Sequence, residues 1–340
     1  MTRQIVMRWC SGKGKAATQI RHQKGRTMRT TAQPSTSTAR TTRGRRLGRV
    51  AIAAAIATGA LLASQATANA ADSTHSASTA MTSIVTDGNR IGLLTSDGRA
   101  YVKEGGIDTT GWFLESGGVK SLALSGNRIG VVTNDGTAYV KEGDIYAPWV
   151  NEHGNVSSLA LSGNRIGVVT SDGTAYVKEG GLSAGWTNEY GNVSSLALSG
   201  NRIGVLTNNG TAQVKEGDLN AGWVDEWDGA GLLVLSGNRI GVIGQNGHAY
   251  VKEGGLSTGW VDEYAGVQSL VLSGNRIGVI GGDGTAAVKE GGLSAGWVNE
   301  YGNVSSLALS GNRIGVIGPD GTAHVKEGGL STGWVDQNLS

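Results

Sequence analysis

The sequence predicts an all-β protein, a seven-bladed β-propeller, and three observations lead to that fold. A GNRIG motif recurs seven times, with spacings of 38 residues once and 37 residues five times. A Trp follows each motif in nearly the same register, and no segment shows the 3.6-residue apolar period of a helix. The motif asparagines and the tryptophans are Asn89, Asn127, Asn164, Asn201, Asn238, Asn275 and Asn312, and Trp112, Trp149, Trp186, Trp223, Trp260, Trp297 and Trp334.

Each repeat contains the signals of a four-stranded meander. In the second repeat, SLALS (121–125) alternates in hydrophobicity, and Gly126 with Asn127 suits a two-residue hairpin turn. RIGVVT (128–133) is rich in β-branched residues, and Asp135-Gly136 predicts a second turn into TAYVKE (137–142). WVNEHGNV (149–156) is the fourth predicted strand.

A single repeat of this kind cannot bury both faces of its sheet, so the repeats must pack on one another. A ring lets the first and last repeats cover each other, whereas an open β-solenoid needs distinct caps. We expect each Trp to pack between blades and Gly130 and its equivalents to permit close approach near the axis. Two closures are compatible with the sequence. Either every blade is built from one repeat, or the strand at 333–337 completes a blade with the strand around 83–86.

The first 70 residues predict an export signal. They contain 13 Lys and Arg and no Asp or Glu, and a basic stretch (40–50) precedes a 14-residue apolar run (50–63) and the site Ala68-Asn69-Ala70. We therefore expect residues 1–70 to be a cleaved leader, 71–81 a short linker and 82–340 the propeller of a secreted protein. An N-terminal membrane anchor, Sec or Tat export and a start at Met28 remain open; after cleavage we expect no stable membrane insertion.

The net charge of +2 conceals a basic leader and an acidic remainder. Beyond residue 70 the chain has 16 basic and 27 acidic residues and no run of Lys or Arg, which argues against a nucleic-acid partner. Cleavage would also remove Cys10, the one cysteine, and with it any disulfide or Cys-ligated metal. We expect no cofactor and no metal.

The pattern resembles the tectonin and tachylectin-like β-propeller lectins. Their units have a Trp, a short apolar strand and a strand–DG–strand hairpin, which appear here as GW with Trp186, then NVSSLALSG and RIGVLTNNGTAQVKEG. The likeness covers all seven repeats, although several members of that group have six. It implies carbohydrate binding in pockets between or beside blades, without catalysis.

The candidate carbohydrate site combines the repeated Trp with the polar pair that follows it. An aromatic ring can stack on the apolar face of a sugar, and adjacent amides and carboxylates can bind its hydroxyls. The alternatives are a Trp wedge between blades and a solvated strand edge. The candidate residues are Trp149, Asn151, Glu152, Trp186, Asn188, Glu189, Trp223, Asp225, Glu226, Trp260, Asp262, Glu263, Trp297, Asn299 and Glu300. The end repeats deviate, with Phe113-Leu114-Glu115 in the first and Asp336-Gln337 in the last.

Other repeated residues are predicted to be structural. Arg128, Lys141, Glu142 and their equivalents suit ion pairs within or between blades. The DG turns are not calcium loops, because Asn replaces Asp in two repeats and both residues suit a turn. One position changes from Tyr to Gln, Ala or His (Tyr101, Tyr139, Tyr176, Gln213, Tyr250, Ala287, His324), which predicts a surface or the rim of a pocket.

Three functions compete on this sequence. A multivalent lectin explains the repetition best, because several weak sites on one ring gain avidity. A protein-binding or structural ring is the alternative. An enzyme requires one asymmetric catalytic arrangement, and the repeated Asp and Glu supply none. Position-specific residues add no acid–base or nucleophile set, so we expect no catalysis.

Overall fold

The computed structural model describes residues 80–339 together with the backbone of the two-residue strand β1 (Ala55–Ile56). The predicted leader, its cleavage site and most of the linker lie outside the described residues. β1 pairs in parallel with residues Leu196 and Ala197. No helix in the described part of the chain is long and apolar enough to cross a membrane.

The described residues form seven blades of four antiparallel strands in sequence order, and β1 adds a fifth, parallel strand to the fourth blade. The fold prediction is therefore confirmed. Blades 1 to 4 consist of β2 (Met81–Asp87), β3 (Arg90–Thr95), β4 (Ala100–Glu104) and β5 (Phe113–Ser116); β6 (Val119–Ser125), β7 (Arg128–Thr133), β8 (Ala138–Glu142) and β9 (Val150–His153); β10 (Val156–Ser162), β11 (Arg165–Thr170), β12 (Ala175–Glu179) and β13 (Thr187–Tyr190); β14 (Val193–Ser199), β15 (Arg202–Thr207), β16 (Ala212–Glu216) and β17 (Val224–Trp227).

Blades 5 to 7 repeat the same order with small changes in length. They consist of β18 (Ala230–Ser236), β19 (Arg239–Gly244), β20 (Ala249–Glu253) and β21 (Val261–Tyr264); β22 (Val267–Ser273), β23 (Arg276–Gly281), β24 (Ala286–Glu290) and β25 (Val298–Tyr301); β26 (Ser306–Ser310), β27 (Arg313–Ile317), β28 (Ala323–Glu327) and β29 (Val335–Gln337).

The ring closes without a shared strand. The last strand, β29, pairs with β28 of its own sheet, so each blade is built from one repeat. The seam between blades 7 and 1 is held by packing of β2 on β26 and β27, and by a hydrogen bond from Met81 N to Gly321 O (3.0 Å). The alternative closure, with 333–337 and 83–86 in one blade, is excluded.

The first strand of each blade lies innermost, where first strands of neighbouring blades contact one another. Its leucines project into the preceding blade over a glycine of the second strand. A Cβ on Gly130 would lie 2.6 Å from Leu159 Cδ2, and equivalent glycines meet equivalent side chains in the other blades. The prediction that these glycines permit close approach is confirmed.

Candidate ligand-binding grooves

The glutamate of each predicted site lies in a buried ion pair. In β9 the cross-strand partner of Ala138 is His153 and that of Tyr139 is Asn151, so Glu152 is the extra residue of a β-bulge. Glu152 faces the next blade, where it pairs with Lys178, and both side chains are at most 2% exposed. The bulge brings the following residue, His153, to the same face. Five further pairs join blades in the same way: Glu115–Lys141, Glu189–Lys215, Glu226–Lys252, Glu263–Lys289 and Glu300–Lys326.

These ion pairs lie beneath the surface, where their charge is costly. Burial raises the pKa of Glu115 and Glu226 above the ordinary value, although the lysine bonds act in the opposite direction. The structure thus places the glutamates behind the other two members of the predicted sites, out of reach of a ligand at the surface. It also explains the Lys of VKEG, whose partner in blades 2 to 7 is the glutamate of the preceding blade.

The repeated Trp makes the contacts of a wedge between blades. Trp186 is half-buried, Lys178 Nζ lies 5.1 Å from the ring centroid, and Nε1 donates a hydrogen bond to Glu152 O of the preceding blade (3.2 Å). The ring of His153 meets the indole edge-on at 5.5 Å. Packing therefore occupies much of the indole, and its exposed remainder is what a ligand would contact.

The Asn or Asp between Trp and Glu is exposed at all five predicted sites. Each pairs across strands with the variable residue of the third strand, as Asn151 does with Tyr139, so both side chains project from the same face towards the preceding blade. Asp225 accepts a hydrogen bond from Gln213 Nε2 (2.5 Å), which confirms the shared face. This face carries the accessible part of the predicted sites.

We call the surface between two neighbouring blades at this level the rim groove. One side comes from the later blade, which supplies the Trp, the Asn or Asp and the variable residue. The other side is the last residue of the outer strand of the earlier blade. Sequence reasoning missed that last residue, although it is aromatic or His in blades 2 to 6: His153, Tyr190, Trp227, Tyr264 and Tyr301. Recurrence of a ring at one repeat position was the available signal.

The grooves share one plan but differ in their walls. The outer-strand ring stacks on the variable residue in three grooves: His153 on Tyr176 (5.3 Å), Trp227 on Tyr250 (4.5 Å) and Tyr301 on His324 (4.9 Å). The variable position is half-buried in five blades and buried as Ala287 and His324. It therefore lies in the groove wall, which accounts for its tolerance of different side chains.

Two grooves contain a histidine beside an aspartate. His248 Nδ1 lies 2.8 Å from Asp262 Oδ2, and His324 Nδ1 lies 2.7 Å from Asp336 Oδ1. Tyr301 Oη also lies 3.1 Å from His324 Nε2. These contacts give the two grooves hydrogen-bonding groups that the others lack.

The DG turns use their aspartates locally, as predicted. Asp135 Oδ1 accepts hydrogen bonds from Thr133 Oγ1 (2.5 Å) and Thr137 N (3.0 Å), and these bonds hold its pKa below the ordinary value. Hydrogen bonds in the corresponding turns lower the pKa of Asp97, Asp172, Asp283 and Asp320. Within residues 80–339, no group of three or more His, Cys, Asp or Glu side chains could hold a metal ion.

The arginines form a second set of ion pairs, inside each blade. Arg128 bonds Glu142 on the neighbouring strand (3.1 Å) and donates to Gly180 O of the next blade (2.5 Å). The corresponding pairs are Arg90–Glu104, Arg165–Glu179, Arg202–Glu216, Arg239–Glu253, Arg276–Glu290 and Arg313–Glu327. Their predicted structural role is confirmed.

The two sets of ion pairs leave an acidic surface. Across residues 80–339 every Glu is in one of them, whereas 12 Asp side chains belong to exposed residues. The exposed basic residues over the same range are Arg99 and Lys120. The outer surface of the ring is therefore strongly negative.

Comparisons with known proteins support the β-propeller fold of this chain but do not assign it to a family. No protein-family profile and no curated protein matches the chain. Among solved structures, PorZ, a surface component of the type-IX secretion system of Porphyromonas gingivalis, matches 77% of this chain with a TM-score of 0.59 and 12% identity. The chain covers 38% of the length of that protein.

In two further matches the alignment covers most of the other protein, and the description of each names a binding partner. YCF48 bound to D1 peptide matches 74% of this chain and 94% of its own, with a TM-score of 0.51 and 12% identity. Prp20p from Saccharomyces cerevisiae, described with its binding to Gsp1p and histones, matches 62% and 72%, with a TM-score of 0.50 and 9% identity. Likeness at such identities shows the β-propeller fold alone.

Proposed function

We propose that the chain is an exported, non-catalytic, multivalent binding protein whose rim grooves take carbohydrate. The observation that carries the proposal is the repeated juxtaposition of an exposed Asn or Asp with the half-buried Trp at five interfaces. Amide and carboxylate groups beside an aromatic surface suit the hydroxyls and the apolar face of a sugar ring. The resemblance to tectonin-type lectins supports the same ligand class.

The geometry revises which residues would bind. The accessible set at each groove is the Asn or Asp, the outer part of the Trp and the variable third-strand residue. The buried glutamates would act only indirectly, by fixing the blades that form the groove. Single sites of this size are expected to be weak, and a millimolar site corresponds to about −4 kcal/mol. Several sites on one rigid ring can raise avidity by about 10²–10⁴ when a glycan-dense surface engages them together.

A glycan array tests the proposal if it is combined with variants that leave the ion pairs intact. Replacing the exposed polar residue of all five grooves by Ala (Asn151, Asn188, Asp225, Asp262 and Asn299) should abolish binding, whereas replacing the exposed loop residues Ser183 and Ser257 by Ala should not. Trp186→Ala is the poorer test, because the Trp also holds two blades together. If the unmodified protein binds no glycan on the array while circular dichroism shows an intact fold, the proposal is wrong.

The acidic surface favours a second candidate, a protein-binding ring with a basic partner. The neighbours named with a peptide or with protein partners show that rings of this fold serve such a function in other proteins. A pull-down that captures one partner, combined with no signal on glycans, would favour this candidate.

Export is part of the proposal and has its own test. If residues 1–70 are a signal peptide, N-terminal sequencing of the secreted protein should begin at Ala71. An intact leader on membrane-bound protein would favour the anchor instead.

A further inference from the structure

The seam between blades 7 and 1 contains a cavity of about 370 Å³. Its lining includes Met81, Tyr101 and Leu339 on the apolar side, and Asp97, Arg99 and Asp320 at the rim. This cavity belongs to the rim groove of the seam, where no connection links the outer strand of blade 7 to the inner strand of blade 1.

At five of the other six interfaces, a two-residue connection links the outer strand of one blade to the inner strand of the next, and between blades 6 and 7 the connection has four residues (302–305). The connection accepts a hydrogen bond from the later blade; for example, Asn134 N of blade 2 donates to Gly118 O of the connection (2.7 Å). At the seam the equivalent bond runs from Ser96 N to Ala80 O (2.8 Å), but no peptide bond joins Leu339 to Ala80. The space beside Tyr101 is therefore bordered by Ala80 and Leu339, which no such connection joins.

The seam also lacks the ring that the preceding blade supplies at five of the other six interfaces; the interface of blades 1 and 2, with Ser116, lacks it as well. Asn338 lies 37 residues after Tyr301 and occupies the repeat position of the outer-strand ring. In three other grooves that ring stacks on the residue equivalent to Tyr101, with centroids 4.5 to 5.3 Å apart and planes 23° to 30° apart. Tyr101 has a cavity where Tyr176, Tyr250 and His324 have a stacked ring.

We infer that the seam cavity binds an aromatic side chain of a polypeptide partner, which takes the place of the missing outer-strand ring on Tyr101. The three stacked pairs in the other grooves of the propeller show the expected geometry. Because both members of each pair are amino-acid side chains, we expect the ligand to be a polypeptide. Exposed Leu114 lies beside Tyr101 on the neighbouring strand, where the five candidate sites have Asn or Asp, so the edge of this groove is apolar.

The charges at the cavity indicate what flanks the aromatic residue. Asp97 and Asp320 oppose a single cation, Arg99, whose Nε lies 3.3 Å from Asp97 Oδ2. Hydrogen bonds within the two turns lower the pKa of both aspartates, so both are ionised at neutral pH. A basic residue next to the aromatic side chain would complement the excess of negative charge. This site is separate from the carbohydrate sites proposed above and does not depend on them.

The test uses the full chain and the peptide acetyl-Arg-Tyr-Arg-amide, with acetyl-Arg-Ala-Arg-amide as the comparison. Ligand-observed NMR measures affinity for each. We expect the tyrosyl peptide to bind at least fivefold more tightly, because aromatic stacking adds to the burial of apolar area.

Two variants locate the binding. Tyr101→Ala removes the platform and should weaken binding of the tyrosyl peptide about tenfold; Ala287 already occupies this repeat position in blade 6, so the substitution is compatible with the fold. Asn338→Tyr supplies the missing ring from the chain itself and should block the cavity. The matched control is Tyr176→Ala, whose ring is already stacked on His153, and it should leave affinity unchanged.

Loss of binding in both seam variants and not in the control supports the inference. Equal affinity for the two peptides, or tyrosyl-peptide binding that survives both seam variants, overturns it. A response to methyl β-D-glucopyranoside that Tyr101→Ala abolishes, without any peptide response, also overturns it and assigns the cavity to a sugar.

Discussion

Gln337→Glu should strengthen the ring at its seam. Six interfaces have a buried Lys–Glu pair, but at the seam the position of the glutamate is occupied by Gln337, which is 1% exposed. Lys103, the lysine of this interface, donates to the carbonyls of Ile107 (2.9 Å) and Thr109 (3.0 Å). Within the described residues it has no carboxylate in ion-pair contact.

The magnitude follows from two opposing effects. A hydrogen bond to a charged group contributes about 1.5–3 kcal/mol, and burying the new carboxylate opposes part of that gain. We expect a net gain of about 1 kcal/mol in the free energy of unfolding. For a ring of this size, that corresponds to a rise of about 2–4 °C in Tm.

The pH dependence should change as well. Burial, followed by the nearby charge of Arg313, lowers the pKa of Lys103 below its ordinary value of 10.5. Between the lowered folded pKa and 10.5 the unfolded chain binds more protons, so this lysine makes stability rise with pH across that window. A carboxylate at 337 would raise the folded pKa and remove that contribution.

Differential scanning calorimetry of the full chain between pH 7 and pH 10.5 measures both effects. Glu263→Gln is the matched control, because it gives an interior interface the composition of the seam, and it should lower Tm. If Gln337→Glu leaves Tm and its pH profile unchanged while Glu263→Gln also has no effect, the ion pairs do not hold the blades as argued.

Three further substitutions test the repeated contacts. Gly130→Ala should cost about 1–3 kcal/mol by overpacking, whereas Gly154→Ala, with nothing within 4 Å of its Cβ, should be neutral in thermal denaturation; equal effects would contradict the close approach. Asp172→Asn should weaken the acid dependence of Tm. The pKa of Asp172 is lower in the folded protein than its unfolded value of 3.8, so this carboxyl stabilises the fold above pH 3.8 and loses that contribution as the pH falls. An unchanged profile of Tm between pH 2 and pH 5 would contradict this. Lys178→Met should cost about 3–5 kcal/mol by leaving Glu152 buried without its partner, and Glu152→Leu in the same chain should restore most of that stability in urea denaturation; no recovery would show that the loss arises elsewhere.

The fold was predictable because each repeat contains its own strand and turn signals, and because a unit of this size needs neighbours. Gly126 and Asp135-Gly136 marked the hairpins correctly, and the spacing of the Trp residues gave the number of blades. The closure was not predictable, since both ways of completing the last blade use the same strands. It depends on which partner β29 selects, which local sequence does not encode.

The candidate sites were predictable only in part. Asn151 and Trp149 do lie on one groove, but Glu152, the next residue after Asn151, projects to the opposite side of the strand. Strict alternation along the strand already separates Glu152 from Trp149 and Asn151, and the bulge brings His153 to the same face as Glu152. Alternation therefore removes the carboxylate from the predicted site, whereas its partner Lys178, 26 residues further along the chain, becomes visible only in the structure.

A ring built from equal repeats has one interface that differs from the others, because no connection links the last blade to the first. In this protein the difference extends from the core to the surface. The buried carboxylate is replaced by Gln337, the connecting loop is interrupted, and the outer-strand ring is replaced by Asn338. The repeated rim grooves favour weak binding of a ligand at several sites at once, whereas the seam between blades 7 and 1 provides a single site of different shape. Substitutions confined to the seam should therefore separate the two: Asn338→Tyr should block the single site and leave avidity for a multivalent ligand unchanged.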